Sequence, residues 1–445
     1  MALKVQHTLL GWVLTAMCSA APAMNLLQAY EAALEQDATV RAGRAALASG
    51  LERLPQARSQ LLPLVSANFG RNRNQLSTTS VNILGNESVA RDDYFSFNQS
   101  LSLRQPLFNL PRYYQFKQAQ DLVEESQANY EREVLSLVVR VGGAYMEALL
   151  AAEGLKLVEA QKRQYTTVVE AARRAFSAGT GTRTDIDDAQ SRLDMALANE
   201  LEARQNEDFT RRQLEVLVNL PVRSLSGLSA QGVAALPDVI RALPEWVELA
   251  QTGNPEVKAL LARMEAADKE VLRAKSAHAP TLEAVAQWSD SGNENVTRIN
   301  SSFENKAIGF QLTVPLYQGG AVSSQVRQAV AEKTRVTESL EALRRDLGLR
   351  VHKEYRGITE GTLRILALEQ AQRSANQMLD STIKSQRAGV RSILDVLNAE
   401  QQVATVNRDL IQARYVYLIS RLRLNTLAGL DPLATVTEIN RAFAP

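Results

Sequence analysis

Cysteine is nearly missing from this chain: it has one, Cys18, in 445 residues. A disulfide-stapled fold and a thiolate metal centre are therefore excluded. Histidine is almost as scarce, at three residues. His278 and His352 are isolated, with no H-x-x-x-H pair, so they read as surface or packing residues and no metal site is expected. No nucleophile–base constellation stands out, and no enzymatic activity is expected. No cofactor is expected either: GTG at 179–181 lacks the spacing of a phosphate loop and reads as a hairpin turn. Charge of one sign is not in excess, with 50 lysines and arginines against 49 aspartates and glutamates. A nucleic-acid partner would need a basic field, so none is expected. Helix breakers are sparse, at 22 glycines and 13 prolines. With alanine, leucine, glutamate, glutamine and arginine abundant, long helices are favoured.

The N-terminus reads as an export signal with its cut after Ala23. Lys4 supplies the positive start, LLGWVLTAMC an apolar stretch of about ten residues, and APA at 21–23 the small residues at the cut. The alternative is a buried N-terminal helix. Met17 is too large for the small residue that precedes a lipidated cysteine. Removing residues 1–23 leaves no thiol, two histidines and 49 residues of each charge. Beyond this segment no run of 18 apolar residues occurs. A membrane-spanning helix is thus not expected, while a soluble periplasmic protein and a β-barrel both stay open.

What is present is written twice. At an offset of 210, Tyr145 matches Tyr355, Ala178-Gly179 matches Ala388-Gly389, Asp185 matches Asp395, and Leu214, Leu217 and Leu220 match Leu424, Leu427 and Leu430. Upstream the offset is 217 (Val40 with Val257, Pro63 with Pro280), and between them PLF at 106–108 pairs with PLY at 315–317. We divide the chain into an export segment 1–23, a first repeat 24–232 and a second repeat 233–445. Each repeat predicts a helix of about 35 residues ending at Pro63 or Pro280, two strands about a polar loop, a very long helix, and a returning helix. The expected strands are 64–74, 94–105, 281–290 and 306–316. The expected tips are 178–184, around Ala178 and Gly179, and 388–393, around Ala388 and Gly389.

The strands carry one oily and one wet face. Phe95, Phe97, Leu101 and Leu103 alternate with Ser96, Asn98, Ser100 and Ser102, and Pro106 is expected to end that strand. Ile308, Phe310, Leu312 and Val314 alternate with Gly309, Gln311 and Thr313. Strands of about ten residues suit a tilted membrane-spanning sheet. Four are too few to close a barrel, and open edges cannot lie in lipid. If the oily faces touch lipid, several chains must share one barrel; the alternative is a soluble sheet packed on helices. The stretches NQLSTTSVNILGNESVARDD and DSGNENVTRIN read as loops outside the membrane.

From about 110 to 177, and again from about 322 to 387, the pattern predicts rods near 100 Å long. Ala399, Val403, Val406, Leu410, Ala413, Tyr417, Leu424 and Leu427 form a coiled-coil seam on the second returning helix. The first copy interrupts its seam at Glu200 and Glu207, which face either water or another helix through salt bridges. Gly142-Gly143 lies inside a rod, where it marks a kink, a tight helix crossing, or a tolerated weak spot.

These motifs resemble the TolC family of outer-membrane channel-tunnels. The resemblance lies in the paired repeat, QPLFN and VPLYQGG, the tip AGVRSILDVLNAEQ, and NRDLIQARYVYLISRLRLNTLAGL. It covers essentially the whole mature chain. It implies a mainly α fold with a small β part: a homotrimer whose four transmembrane strands per chain close a 12-stranded β-barrel, continued by antiparallel helical hairpins that form an α-barrel across the periplasm. Phe95, Phe97, Leu101, Leu103, Ile308, Phe310, Leu312 and Val314 would then face outer-membrane lipid. The resemblance also implies a periplasmic gate at the tips. Asp395 matches an aspartate of the narrow entrance, and Asn398 replaces a second acid one turn on. Arg391 matches an arginine that ties its hairpin to a neighbour, with Thr184 and Asp185 as acceptors, and Gln386 stands where the family has a tyrosine. For Asp395 and Arg391 the alternative is a solvated helix start. Implied partners are a periplasmic adaptor and an inner-membrane ABC or proton-driven transporter. The expected role is the exit duct of type I protein secretion, with multidrug efflux as the alternative and a soluble coiled-coil adaptor as the rival class.

Overall fold

A computed structural model describes residues 23–229, 232–237, 241–293 and 301–444. The export segment, apart from Ala23, and residues 294–300 of the second polar stretch lie outside the described residues. In chain order the elements are α1 (Leu26–Gln36), α2 (Ala38–Leu51), α3 (Arg53–Ser59), β1 (Leu64–Val81), β2 (Glu87–Phe108), α4 (Leu110–Ser177), α5 (Arg183–Val218), α6 (Leu243–Gly253), α7 (Pro255–Ser276), β3 (Thr281–Asn293), β4 (Ser301–Thr313), α8 (Ala321–Arg387), α9 (Ile393–Leu427) and α10 (Pro432–Asn440).

The single first helix expected in each half is broken. Asp37 leaves helical geometry and accepts from the Thr39 and Val40 amides at 2.9 and 3.0 Å, ending α1 and capping α2. Asn254, its counterpart at the 217 offset, caps α7 by accepting from the Glu256 amide at 2.8 Å, with Pro255 in the first turn. Short polar side chains at these joints bond free helix-start amides, so an N-cap wins over continuous helix. The rods appear where the pattern places them: α4 has 68 residues and α8 67. Asn109 caps α4, and Gly320, at φ 80°, precedes α8.

The four strands form one antiparallel sheet in the order β1-β2-β3-β4. β1 and β3 start where expected, at Leu64 and Thr281, but the other strand bounds differ. β1 reaches Val81 rather than 74, and β2 runs from Glu87 to Phe108 rather than 94–105. Most of the stretch expected as loop is thus a paired ribbon. Its turn is closed by Asn82, whose Oδ1 accepts from Leu84 and Asn86 amides at 3.0 Å each, and by Gly85 at φ 79°. Among the described residues β2 pairs with β3 from Ser96 onward, and the outer β1–β2 ribbon is mainly polar on both faces. Without a buried face it carries no alternation to read. Pro106 does not end β2; the register shifts between Pro106 and Phe108. β1 pairs only as far as Arg104, so the proline falls where β2 has one neighbour strand. β3 ends at Asn293 rather than 290. β4 occupies 301–313 rather than 306–316, which leaves Val314 just beyond it.

The main core sits at mid-length. Leu137, Val141, Tyr145 and Met146 of α4 share one apolar cluster with Leu418 and Leu422 of α9, Leu347 and Val351 of α8, and residues of α1 and α10. The Tyr145 hydroxyl bonds the Ser226 and Met24 carbonyls at 2.8 and 3.1 Å, and its ring meets Phe443 edge to face at 5.3 Å. A Cβ on Gly142 would lie 2.6 Å from Leu422 Cδ1, whereas one on Gly143 would meet nothing within 4 Å. Gly142 is therefore a close helix crossing and Gly143 a tolerated weak spot. One correction concerns composition. α4 does contain a stretch long and apolar enough to cross a bilayer, and 56% of it is buried inside this core.

The helices lie side by side. Toward the tips the lateral order is α5-α4-α9-α8; toward the sheet it is α2/α3-α4-α7-α8. Among the described residues the chain is thus a row of helices with α5 or α2/α3 on one flank and α8 on the other.

Candidate functional site

Both hairpin tips are built from the same local chemistry. Gly179 and Gly389 take φ of 72° and 77°, which a Cβ would strain, so the chain turns there. α5 then starts on a capping box: Asp185 accepts from the Thr182 amide at 2.9 Å and hydroxyl at 2.7 Å, while Thr182 Oγ1 faces the Asp185 amide at 3.2 Å. α9 repeats it with Ser392 and Asp395, at 2.9 Å for both bonds to the carboxylate and 3.2 Å for the return bond. The Ser392 amide, then its hydroxyl and Arg391, hold the Asp395 carboxyl below the usual carboxylate range.

Arg391 does not begin the returning helix; it precedes the Ser392 cap and pairs with Asp395 at 3.4 Å. Within one chain no hydrogen bond or ion pair joins it to Thr184 or Asp185. Thr184 is exposed in the first turn of α5. Gln386 contributes its carbonyl to the turn, accepting from the Gly389 amide at 2.9 Å. Asn398 has a partner the sequence did not announce: Arg192 of α5 donates to its Oδ1 at 2.8 Å.

Further cross-hairpin bonds lie just above. Gln401 accepts from Gln161 at 2.9 Å and from Tyr165 at 3.1 Å, and Glu400 accepts from Gln164. Sequence reasoning passed over these residues, since bonds between hairpins leave no periodic trace. It left Glu200 open, and the structure settles it: Glu200 is buried and bridges Lys162 of α4 at 2.7 Å and Arg204 at 2.6 Å. Those partners, Lys162 first, lower its pKa. Glu207 is half-buried and pairs with Arg211 of its own helix at 3.5 Å.

The sheet brings the oily residues together. Directly opposite residues share a face. The register pairs Val65 with Leu103, Leu103 with Ala286, and Ala286 with Ile308; Ala67, Leu101 and Trp288 form the next row. Phe310 lies opposite Ala284, Leu312 opposite Leu282, and Phe95 and Phe97 opposite Arg73 and Arg71 on the same face. Ile308 is 92% exposed, Phe310 76% and Leu312 63%. Nothing among the described residues covers this apolar band. The opposite face presents Ser66, Asn68, Ser100, Ser102, Gln287, Ser289 and Gln311. Among the described residues no cluster of metal-ligating side chains occurs.

The profile of the outer membrane efflux protein family matches residues 29–220 and 246–430. The chain is 31% identical over 430 residues to the proteases secretion protein PrtF of Dickeya chrysanthemi, covering 96% of this chain and 93% of that protein. It is 33% identical to the alkaline protease secretion protein AprF of Pseudomonas aeruginosa, over 96% and 89% of the two chains. The fold matches the outer membrane channel CmeC of Campylobacter jejuni with a TM-score of 0.78 at 15% identity, over 94% and 90% of the chains. The chain belongs to the outer membrane efflux protein family and is an outer-membrane channel that extends into the periplasm.

Proposed function

We propose that three copies of this chain close side by side into one duct, the exit of a tripartite type I protein secretion system. The observation that carries this reading is the match of open edges at every level. Among the described residues β1 and β4 lack a neighbour on their outer sides in the sheet, and below it α2/α3 and α5 form one flank and α8 the other. β1 and β4 run in opposite directions, so β4 of one copy pairs antiparallel with β1 of the next, and three copies make twelve strands with no edge in lipid. The exposed apolar face then meets lipid and the polar face lines a pore. In such a ring α8 of one copy lies beside α5 of the next. That brings Arg391 toward the neighbour's Thr184 and Asp185, and turns Asp395 into a ring of three carboxylates at the periplasmic entrance, with Asn398 and Gln386 nearby.

The two relatives named for protease secretion support a protein cargo; the family description supports small-molecule efflux as the second reading. An adaptor spanning the periplasm and an inner-membrane ABC transporter are the implied partners, with a proton-driven pump under the second reading. Fractionation is the first experiment: a heat-resistant trimer in the outer membrane is expected, and a soluble monomer would overturn the channel reading in favour of a coiled-coil adaptor. Deleting the gene should then remove a secreted protein from the medium and leave susceptibility to toxic small molecules unchanged. The reverse pattern would assign efflux.

A further inference from the structure

Between the tips and the mid-length core, the two hairpins of a protomer touch along a short stretch of α4 and α9. Leu397 of α9 is fully buried among Tyr165, Val168 and Val169 of α4 and Ala189 and Ala196 of α5. Three residues on, about one helical turn, Glu400 is only 7% exposed. One oxygen, Oε1, accepts from the Gln164 side-chain amide across the hairpin boundary. The other, Oε2, is buried with no hydrogen-bond partner. A carboxylate held this way leaves charge in an apolar, half-satisfied place, while a neutral acid does not.

Among the described residues no lysine or arginine pairs with Glu400; Arg163, beside Gln164 on α4, is exposed, and other charged or titratable groups of the packed elements bind elsewhere. From α4, Lys162 binds Glu200 and Tyr165 donates to Gln401. From α5, Arg192 donates to Asn398, and Glu200 holds Lys162 and Arg204. From α8, Asp380 and Lys384 pair with each other on the exposed side, and on α9 itself Asp395 binds Ser392 and Arg391. Burial accordingly raises the Glu400 pKa above the usual carboxylate range, with the Gln164 amide opposing it.

We propose that the Glu400–Gln164 contact is a proton-controlled latch holding the second hairpin against the first within each protomer. The proposal rests on the reading of the chain as a duct that opens by separating its hairpins. When α9 moves away from α4, water reaches the carboxyl and it ionises, so opening releases a proton. The carboxyl pKa is higher in the closed arrangement than in the hydrated one. The stabilisation of the closed arrangement is therefore complete below the hydrated value of about 4.3 and is lost as pH rises through the raised value. The latch holds in acid and loosens toward alkali.

Single-channel recording of the purified full-length protein between roughly pH 5 and 8 tests it. Recordings are made in an Asp395→Ala background, so that the entrance carboxylates do not titrate. The parent protein should open more as pH rises. Glu400→Gln, which stays neutral and keeps an acceptor for Gln164, should hold the acid-pH behaviour throughout. Gln164→Glu should raise opening several-fold at neutral pH, and adding Glu400→Gln should reverse this. An unchanged pH profile in Glu400→Gln overturns the latch, whether or not Gln164→Glu assembles. Failure of the wild-type protein to form any channel would instead overturn the duct reading beneath it.

Discussion

Glu200 and Leu410 occupy the same place in the two hairpins, separated by the 210 offset, and both are buried, at 6% and 2% exposure. One is a carboxylate and the other a leucine. The difference lies in what each faces. Lys162 of α4 reaches Glu200 at 2.7 Å and Arg204 joins it. At the position of Lys162 the second copy has Gln372, which turns to Asn407 at 2.8 Å. Leu410 instead joins the main apolar core. A buried seam position thus accepts a charge where its partner helix brings a counter-charge, and otherwise takes an apolar side chain. The caps differ far less: Thr182 with Asp185 and Ser392 with Asp395 make the same reciprocal bonds. Local chemistry sets the shape of a hairpin, and seam chemistry is free to diverge around it.

The harshest way to break this comparison is to exchange the seam residues. Leu410→Glu should cost on the order of 4 kcal/mol, because no lysine waits opposite. Adding Gln372→Lys should recover part of it, while replacing Glu200 and Lys162 together by leucine and methionine should be near neutral. Thermal melting of the purified assembly measures each. Equal losses at the two positions would mean that the counter-charge is irrelevant.

The strands sharpen the same pairing between copies. Leu103 and Leu312 are equivalent at the 209 offset and share the apolar face. Leu103→Arg and Leu312→Arg should each hinder membrane assembly by about 2–4 kcal/mol near the midplane. Ser102→Arg and Gln311→Arg, one residue back, should assemble normally. Heat-resistant oligomer in membrane extracts is the readout, and parallel defects in both pairs would contradict the assigned faces.

A smaller effect separates two adjacent glycines. Gly142 corresponds to His352, which is exposed in the second copy. Gly142→Ala meets Leu422 and should destabilise by about 1–3 kcal/mol. Gly143→Ala meets nothing and should stabilise by roughly 0.5–1 kcal/mol. Melting shifts of opposite sign are expected.

The smallest effect on stability falls at the tips, where Arg391 stands opposite Gly181 in the repeat. Arg391 is exposed and its ion pair with Asp395 contributes little, so Arg391→Ser should barely move the melting temperature. It should nonetheless raise single-channel conductance if it bridges protomers, while Asp395→Ala lowers cation selectivity. Unchanged conductance in Arg391→Ser would place the lock elsewhere.

The sequence by itself determined what depends on neighbours in the chain. The ends of α4 and α8 follow from Asn109, Gly179, Gly320 and Gly389, each acting within a turn of its own position. The apolar parity of β2 and β4 was legible because period two survives wherever one face meets a different medium. Where both faces are polar, in the ribbon from Asn74 to Tyr94, that signal vanished although the pairing is regular. Tertiary structure alone decided which side chains meet across the hairpin boundary. Arg192 with Asn398, Gln164 with Glu400 and Gly142 with Leu422 are 206, 236 and 280 residues apart. Their contacts depend on how two rods of nearly 100 Å align and rotate, which the packing of the whole wall decides and no local pattern encodes.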